Sequence, residues 1–315
     1  MSKYLIAGAG TVGKTLAARL NARGDSAHIA SRSGTAVDGA QTLTLDVTDT
    51  ASLTAAARGC ETIFLATSPI EYHRWAELWP PMFQAALDAA HQSGAKLVIA
   101  GNLYAYGEDA AMPMTEQSPL LTTEAKGLVR KNGWELALAA HRRGDIQAVE
   151  VRASDYFGPG AGKTAQLGGD FFKPVMAGKK LKIFGSATQK HCWTFLDDFA
   201  TTLIAASDYQ GEWGRAWLVP TDTPLSRTEI TARVNMLTGQ HAQVTPYGSA
   251  LLRMLGLLSP TIRAANDSAY QFNRPFVVDA TETTNLLGVT ATQWQDAIPT
   301  CQGRVRPVPN SKFAI

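Results

Sequence analysis

The first residues that could do chemistry form a glycine-rich segment near the amino terminus. Gly8, Gly10 and Gly13 have the spacing G-x-G-x-x-G and follow the apolar run at residues 4–7. Between a strand and a helix, such a loop lets a pyrophosphate approach backbone N–H groups at the helix N-terminus. The segment therefore predicts a dinucleotide site, with these contacts: Gly8, Gly10, Thr11, Val12 and Gly13.

The same glycines also fit a second pattern. Residues 8–13 followed by Lys14 and Thr15 match G-x-x-x-x-G-K-T, the phosphate loop of nucleotide hydrolases. Such a hydrolase also needs a magnesium-binding aspartate at the end of an apolar strand. The two best candidate strands end instead in residues 66–68, Ala-Thr-Ser, and 100–102, Ala-Gly-Asn. The dinucleotide interpretation is favoured, and magnesium-dependent ATP turnover would revive the other.

The kind of dinucleotide is predicted from the end of the second apolar run. Ser31 and Arg32 stand about 20 residues beyond the loop, where a dinucleotide fold places the side chain that reads the ribose. An acidic residue would accept from the 2′-OH of NAD, whereas an arginine donates to the 2′-phosphate of NADP. One charge-assisted hydrogen bond, worth about 1.5–3 kcal/mol, gives a roughly ten- to a hundredfold preference. We expect NADP, with a solvated turn arginine as the alternative.

Composition and charge limit the partners. The chain has 315 residues, with 29 Lys and Arg against 27 Asp and Glu, so its net charge of +2 gives no electrostatic case for nucleic acid. Charged residues make up 18%, below the roughly 25% of soluble domains, so a large core is expected. Cys60, Cys192 and Cys301 are odd in number and far apart, which predicts neither a disulfide framework nor a metal site. A cytoplasmic location fits these thiols best.

No targeting or membrane segment is predicted. The apolar stretch after Met1 ends in glycines, and no window of 18 apolar residues exists. The closest candidate, residues 251–258, is short and carries Arg253, which predicts an amphipathic helix. We therefore expect no contact with a membrane.

Short apolar runs alternate with helical patterns through the first half of the chain. Strands are predicted at residues 4–7, 27–31, 42–45, 62–66, 96–100 and 146–152, and helices at 12–23, 81–92 and 124–143. Such alternation indicates βαβ units, hence an α/β fold with a Rossmann-type doubly wound parallel sheet. The strands lack polar alternation, as expected when helices cover both faces.

The amino-acid composition changes after residues 157–160, Phe-Gly-Pro-Gly, where glycine and proline become more frequent. We expect residues 1–158 to form the NAD(P)-binding domain and residues 159–315 a smaller α/β substrate lobe. A strand and helix at residues 193–207 and a strand at 216–219 suggest that residues 190–220 return to the first domain. A further helix is predicted at residues 226–237.

Several short motifs carry a resemblance that covers nearly the whole chain. They are Asp46-Val47, Leu65-Ala66-Thr67, residues 97–102 with Tyr106-Gly107, Arg152 with residues 156–160, and residues 195–198, Phe-Leu-Asp-Asp. In order and spacing, the sequence resembles the extended, epimerase/dehydratase-like branch of the short-chain dehydrogenase/reductase superfamily. The resemblance implies that Asp46 and Val47 contact adenine and that Ala66 and Thr67 touch the cofactor.

The sequence also departs from that branch. The catalytic Ser or Thr corresponds to Asn102, and Tyr-x-x-x-Lys corresponds to Gly127 through Lys131, so the lysine is kept and the tyrosine is absent. In this respect the chain is similar to the NmrA-like and isoflavone-reductase-like branch. Ala7 replaces the first glycine of the usual G-x-x-G-x-x-G. His191 replaces an arginine that commonly binds nucleotide phosphates, which argues against a UDP- or GDP-sugar substrate.

Four residues are the candidates for chemistry. The resemblance implies that Lys131 holds the nicotinamide ribose or acts as acid or base; otherwise it is a surface lysine. Asn102 could orient a substrate carbonyl or cap a turn. Tyr104 could replace the lost phenol, and His73 could serve as a general acid or have no role. Residues with a weaker claim to the pocket are Trp75, Trp79, Asp155, Tyr156 and His191.

These residues lead to one hypothesis with two alternatives. We expect an NADP-dependent reductase that transfers hydride to a small, non-nucleotide organic substrate. One alternative is a non-catalytic NADP-binding redox sensor, and the other is an NAD(P)-dependent sugar epimerase or dehydratase. The expected partner is a small molecule, without nucleic acid or membrane. Relatives commonly dimerise through a helix pair beside the lysine, so a homodimer through residues 124–143 stays open.

Overall fold

The computed structural model describes residues 3–162, 165–248 and 266–301. The helix predicted at residues 251–258 and the tail from Arg304 lie outside the described residues. Within the described ranges, no helix is long and apolar enough to cross a bilayer.

A central sheet of seven parallel strands organises the chain. Its order is β3-β2-β1-β4-β5-β6-β10, which confirms the predicted Rossmann-type doubly wound sheet. The strand order reverses beside β1, and in open parallel sheets ligands bind at the carboxyl ends near this reversal. The strands are β1 (Lys3–Ala7), β2 (Ser26–Ser31), β3 (Gln41–Thr44), β4 (Thr62–Leu65), β5 (Lys96–Asn102), β6 (Ala148–Ala153) and β10 (Ala216–Leu218).

Helices cover both faces of this sheet. One face carries α1 (Thr11–Arg23) and α6 (Leu196–Asp208), which pack on each other. The other carries α2 (Thr50–Ala57), α3 (Trp75–Ser93) and α4 (Ala125–Arg142). Every residue of β4 and β6 is buried, which explains why the strands show no polar alternation. Two apolar clusters result, one on each side of the sheet.

Helix α3 differs from its prediction. It begins at Trp75, six residues before the predicted start at Pro81, so that Pro80 and Pro81 lie inside it. Prolines ordinarily mark the first turn because they lack an N–H. Here Trp75 and Trp79 are buried and the Trp75 indole donates to the carbonyl of Pro69, so tertiary packing holds the additional turns.

The remaining elements lie beyond β6, except that α6 and β10 return to the central sheet. Two small parallel pairs form there, β7 (Tyr156–Phe157) with β9 (Thr194–Phe195) and β8 (Lys180–Ile183) with β11 (Gln243–Pro246). Their apolar core centres on Phe157, which stacks on Trp294. The helices are α5 (Gly169–Met176), α7 (Arg227–Thr238), α8 (Tyr270–Asn273), α9 (Thr281–Leu287) and α10 (Trp294–Thr300).

Candidate active site

A cavity of about 710 Å³ opens at the carboxyl ends of the six strands β1 to β6. It joins most of the residues that the sequence analysis proposed for the cofactor and the chemistry. Those that line it are Gly8, Gly10, Thr11, Val12, Ser31, Arg32, Asp46, Val47, Ala66, Thr67, Asn102 and Tyr104. Because these residues come from five strand ends, the cavity can hold an extended ligand across the point where the strand order reverses.

The glycine loop is tight for steric reasons. Gly8 has φ of 128°, and a Cβ there would lie 2.7 Å from the backbone of Ala66 and Thr67. A Cβ on Gly13 would lie 1.9 Å from the carbonyl oxygen of Gly8, so Gly13 supports the loop from beneath and does not line the cavity. Gly10 caps α1 without a side-chain hydrogen bond, which leaves the first-turn N–H groups directed at an anion.

The adenosine end of the cavity is formed by the ends of β2 and β3. Arg32 is exposed there and makes no ion pair with any described residue. The pKa of the Asp46 carboxyl is lowered, first by hydrogen bonds from the N–H and hydroxyl of Thr48 and further by the charge of Arg32. Val47 is buried beside them. A guanidinium and an acceptor therefore flank the place where a ribose would lie.

At the other end of the cavity lie Asn102, the last residue of β5, and Tyr104, two residues beyond it. The Asn102 Oδ1 accepts from the Tyr104 N–H at 3.2 Å, so half of this amide forms the turn, while its nitrogen makes no hydrogen bond to a described residue. The Tyr104 ring stacks on Trp75 with centroids 5.9 Å apart, and Trp75 stacks on Tyr72 at 4.8 Å. Burial raises the pKa of Tyr104 well above its usual range and that of Tyr72 to about 12.

Two predicted catalytic residues, both within the described ranges, are placed outside the cavity. The Lys131 ammonium donates to the carbonyl of Leu120 at 3.0 Å and lies 4.0 Å from Glu135. His73 sits in a turn of 3₁₀ helix before α3 and does not line the cavity. Adjacent side chains on a helix point about 100° apart, so Lys131 and the residue before it cannot both face the cavity. On α4 the residue before Lys131 faces the cavity.

Arg130 occupies the inward position instead. It is 2% exposed, lines the cavity, and donates through Nη2 to the carbonyl of Ala100 at 2.9 Å and to Glu150 at 3.4 Å. Its guanidinium lies 4.5 Å from the Trp79 ring centroid, and its buried Nε has no partner among the described residues. Burial lowers the pKa of Arg130, and the charge of Glu150 opposes that effect.

Lys126 stands one helical turn before Arg130 and is also buried. Its ammonium lies 3.6 Å from Glu124 and 5.6 Å from the ring centroids of both Tyr72 and Tyr104. Burial lowers the pKa of Lys126, and Glu124 counteracts this. Sequence reasoning missed both inward cations. The spacing of four residues between Lys126 and Arg130 was the available signal, since it equals the spacing from Gly127 to Lys131.

The last wall of the cavity comes from the segment after β6 and from α8. Asp155 and Tyr156 line it, as do Ser154 and Gln271. Behind Asp155 lies His191, which is 2% exposed, with its Nε2 3.0 Å from the Asp155 Oδ2. His191 therefore has a partner within the protein and presents no surface to a ligand.

The profile of the NAD dependent epimerase/dehydratase family matches residues 4–219, more than half of the chain. The chain belongs to this family. The match extends from β1 to just past β10 and so covers the entire central sheet. Proteins of this family bind NAD(P), and membership confirms the resemblance to extended short-chain dehydrogenases. The search of curated proteins found no match to this chain.

Solved structures of epimerases and dehydratases share the fold of this family member. MoeE5 in complex with UDP-glucuronic acid and NAD has a TM-score of 0.74 at 20% identity, over 95% of this chain and 97% of that one. UDP-N-acetylglucosamine 4-epimerase from Bacillus cereus has a TM-score of 0.77 at 15% identity, and the match covers 98% of this chain and 99% of that one. dTDP-glucose 4,6-dehydratase from Bacillus anthracis with NAD has 0.76 at 13%, over 96% of each. These findings favour the epimerase or dehydratase alternative over the reductase interpretation.

Proposed function

We propose that this family member is an NADP-dependent enzyme that transfers hydride to or from a hydroxyl- or carbonyl-bearing carbon of a sugar-like substrate. The observation that carries the proposal is one continuous cavity, with the glycine loop and Arg32 among its lining residues and Asn102 and Tyr104 at the end of β5. Family membership supports chemistry of the epimerase or dehydratase kind.

The residues present fit a dinucleotide. The open N–H groups at the start of α1 suit a pyrophosphate, and any side chain on Gly8 would clash with the backbone of Ala66 and Thr67 beside them. Arg32 is exposed and makes no ion pair with a described residue, so its guanidinium could offer a planar donor to a 2′-phosphate. The unpartnered Nε of Arg130 supports a polar ligand group at the opposite end. NADP is therefore the favoured cofactor.

The chain's own groups have distinct parts in the chemistry. The bound cofactor supplies or accepts the hydride. Asn102 donates through its free amide nitrogen to the substrate oxygen. Tyr104 keeps its phenol proton because burial raises its pKa, so it would serve as a hydrogen-bond donor to a substrate oxygen that becomes negative. Trp75 and Trp79 line the cavity and exclude water from the reacting carbon.

A reductase acting on a non-nucleotide substrate is the second candidate. It is favoured by the inward face of α4, which carries Lys126 and Arg130 and no tyrosine. It is also favoured by His191, which is buried against Asp155 and does not offer a cation to nucleotide phosphates.

The first experiment is a calorimetric titration with NADPH, NADH and magnesium ATP. We expect NADPH to bind at least tenfold more tightly than NADH, and we expect Arg32→Ala to remove this advantage. Arg58→Ala is the matched control, since Arg58 is exposed and lies outside the cavity. Binding of ATP alone would overturn the dinucleotide assignment.

The second experiment measures turnover. UDP-glucose and small ketones and imines are tested for epimerisation or NADPH oxidation, with wild type and Tyr104→Phe compared. Loss of one hydrogen-bond donor to a developing oxyanion costs roughly 10²–10³ in kcat, so we expect the kcat of Tyr104→Phe to fall at least a hundredfold with NADPH affinity unchanged. Conversion of UDP-glucose selects the epimerase, and conversion of a ketone or imine alone selects the reductase. Tight NADPH binding without any turnover indicates a redox sensor.

A further inference from the structure

A buried polar cluster borders the cavity at the junction of β6 with the second lobe. His191 lies between Asp155 and the carbonyl oxygen of Gln271, with its Nδ1 3.0 Å from that oxygen. Its Nε2 is 3.0 Å from the Asp155 Oδ2 and 3.3 Å from the Ser154 Oγ. His191 and Ser154 are buried, and Asp155 lines the cavity. No step proposed so far uses this cluster.

The hydrogen-bond partners decide where the protons are. A carbonyl oxygen only accepts, so the Nδ1 of His191 carries a proton. The single hydroxyl proton of Ser154 is donated to the carbonyl of Cys192 at 2.6 Å, so the Ser154 oxygen can only accept from Nε2. One further proton therefore lies between His191 and Asp155. An imidazole is ordinarily a stronger base than a carboxylate, which places this proton on Nε2.

The aromatic surroundings agree with a positive ring. His191 lies parallel to Phe272 and Phe276, with centroids 5.1 Å and 5.3 Å away and interplanar angles of 17° and 22°. Aromatic faces attract a cation. A further charged group near this cluster is Arg227, whose guanidinium lies 5.2 Å from the Phe272 ring centroid. Burial lowers the pKa of Arg227 to about 10, and the negative charge of Asp155 opposes that effect.

This arrangement sets the ionisation of the Asp155 carboxyl group and the orientation of its two oxygens. The imidazolium binds Oδ2, so Asp155 stays a carboxylate, and Oδ1 makes no hydrogen bond to a described residue. The side chain is 22% exposed on the cavity side. An acceptor with formal negative charge thus faces the ligand, and its cation is enclosed behind it.

We propose that Asp155 anchors the substrate through Oδ1, which accepts a hydrogen bond from a hydroxyl or ammonium group and disfavours phosphate or carboxylate at that place. His191 is the positioning residue that keeps Asp155 ionised and oriented. This proposal rests on the proposed function, because it assumes that the substrate shares the cavity with the cofactor. It narrows the substrate class to molecules rich in hydrogen-bond donors at this end.

The proton assignment is tested without any substrate. In protein labelled with ¹⁵N-histidine and loaded with NADP⁺, His191→Gln identifies the ring signals among the six histidines. We expect both His191 nitrogens to show imidazolium shifts at pH 7.5 and the ring to become neutral in Asp155→Asn. A neutral ring in the wild type would overturn the carboxylate assignment.

The anchoring role is tested with three hexoses of one skeleton: glucose, glucosamine and glucuronate. Binding to the NADP⁺-loaded protein is measured by NMR titration up to 50 mM. We expect glucosamine and glucose to bind at least tenfold more tightly than glucuronate. Asp155→Asn should reduce this difference below threefold, while Asp155→Glu, which restores the charge, and the exposed control Asp170→Asn keep it.

Each remaining outcome of the hexose titration also tests the anchoring role of Asp155. Equal binding of all three hexoses, tighter binding of glucuronate, or no binding up to 50 mM would overturn the anchor. Circular dichroism and the Tm show whether Asp155→Asn is folded, and Asp155→Glu gives the answer if it is not. NADPH affinity should be the same in every variant. Loss of NADPH binding in the wild type would instead count against the proposed function, so the two failures are distinguishable.

Discussion

The two ends of the cavity are built in different ways. The cofactor end consists of backbone N–H groups, three glycines and one exposed guanidinium, Arg32. The proposed substrate end is backed by ions that each face an opposite charge: Lys126 with Glu124, Arg130 and Arg152 with Glu150, and His191 with Asp155. Of these ions, Arg130 and Asp155 line the cavity itself. The first end is formed by local chain geometry, whereas the second depends on elements that meet only in the folded protein.

This difference teaches where function and stability are coupled. Arg32 can be changed at the cofactor end with little effect on folding, because it is exposed and makes no ion pair with a described residue. At the substrate end, a change of one ion leaves its partner buried and uncompensated. We therefore expect variants of the two ends to separate in their effects on affinity and on the free energy of unfolding.

The largest effect is expected from Glu150→Gln. Glu150 is 2% exposed and accepts from Arg152 at 2.7 Å and Arg130 at 3.4 Å. Its loss leaves two buried guanidinium groups without a counter-charge, which costs about 3–5 kcal/mol of unfolding free energy. Urea unfolding measures the change. The exposed pair of Arg143 and Asp145 provides the control Asp145→Asn, with an unchanged Tm; equal losses in both variants would contradict the contrast.

Gly13→Ala should act on affinity first. The new Cβ would lie 1.9 Å from the carbonyl oxygen of Gly8, so the loop proposed to hold the pyrophosphate must shift. We expect NADPH affinity to fall roughly a hundredfold or more, as when one well-placed set of hydrogen bonds is lost. Gly10→Ala has open space around its Cβ and should keep the Tm of the free protein. Calorimetry measures the NADPH affinity of both variants. An affinity of Gly13→Ala equal to that of the wild type would contradict the expected role of this loop.

Glu124→Ala removes the N-cap of α4 together with the ion partner of Lys126. The Glu124 carboxylate accepts from the N–H groups of Lys126 and Gly127. Loss of such a cap costs about 0.5–2 kcal/mol, and loss of the Glu124 charge beside the buried Lys126 ammonium adds to it. Thermal unfolding should show a lower Tm than for Glu124→Asp, which keeps the charge. A Tm equal to that of the wild type would mean that neither the cap nor the Glu124 charge contributes to stability.

The smallest effect concerns pH. Asp198 at the start of α6 is buried, and burial raises its pKa to about 6, although it accepts from the N–H and hydroxyl of Thr292. Because the folded pKa lies above the unfolded one, its contribution to stability is present below about pH 4 and is lost as pH rises through 6. Asp198→Asn should therefore flatten the decline in Tm between pH 4 and pH 7. An unchanged slope would contradict this.

The cofactor end could be predicted from the sequence because its signals are local. The spacing of three glycines and the position of Arg32 fix which strand ends they occupy once the βαβ order is known. Family membership confirmed that fold. Helix α2 was missed, although Asp49, which caps it by accepting from two backbone N–H groups, was a usable signal.

The substrate end could not be predicted to the same depth. Lys131 and Arg130 are adjacent in sequence, and only the packing of α4 decides which of them faces Trp79 and the cavity. His191 and Asp155 are 36 residues apart and meet because β7 pairs with β9. Sequence reasoning considered these residues one at a time. Their protonation depends on Ser154, Cys192 and Gln271, which no motif connects.

The late arrival of β10 has a consequence for synthesis of the protein. The strand β6 ends at Ala153, and its neighbour β10 begins only at Ala216, after the 62 residues between them have been made. Until then, the outer edge of β6 presents unpaired backbone groups, the kind of edge that recruits other strands. A ribosome that stops between these residues releases a chain with an open sheet. Truncation after residue 158 should therefore yield aggregates, and adding residues 159–219 should restore solubility.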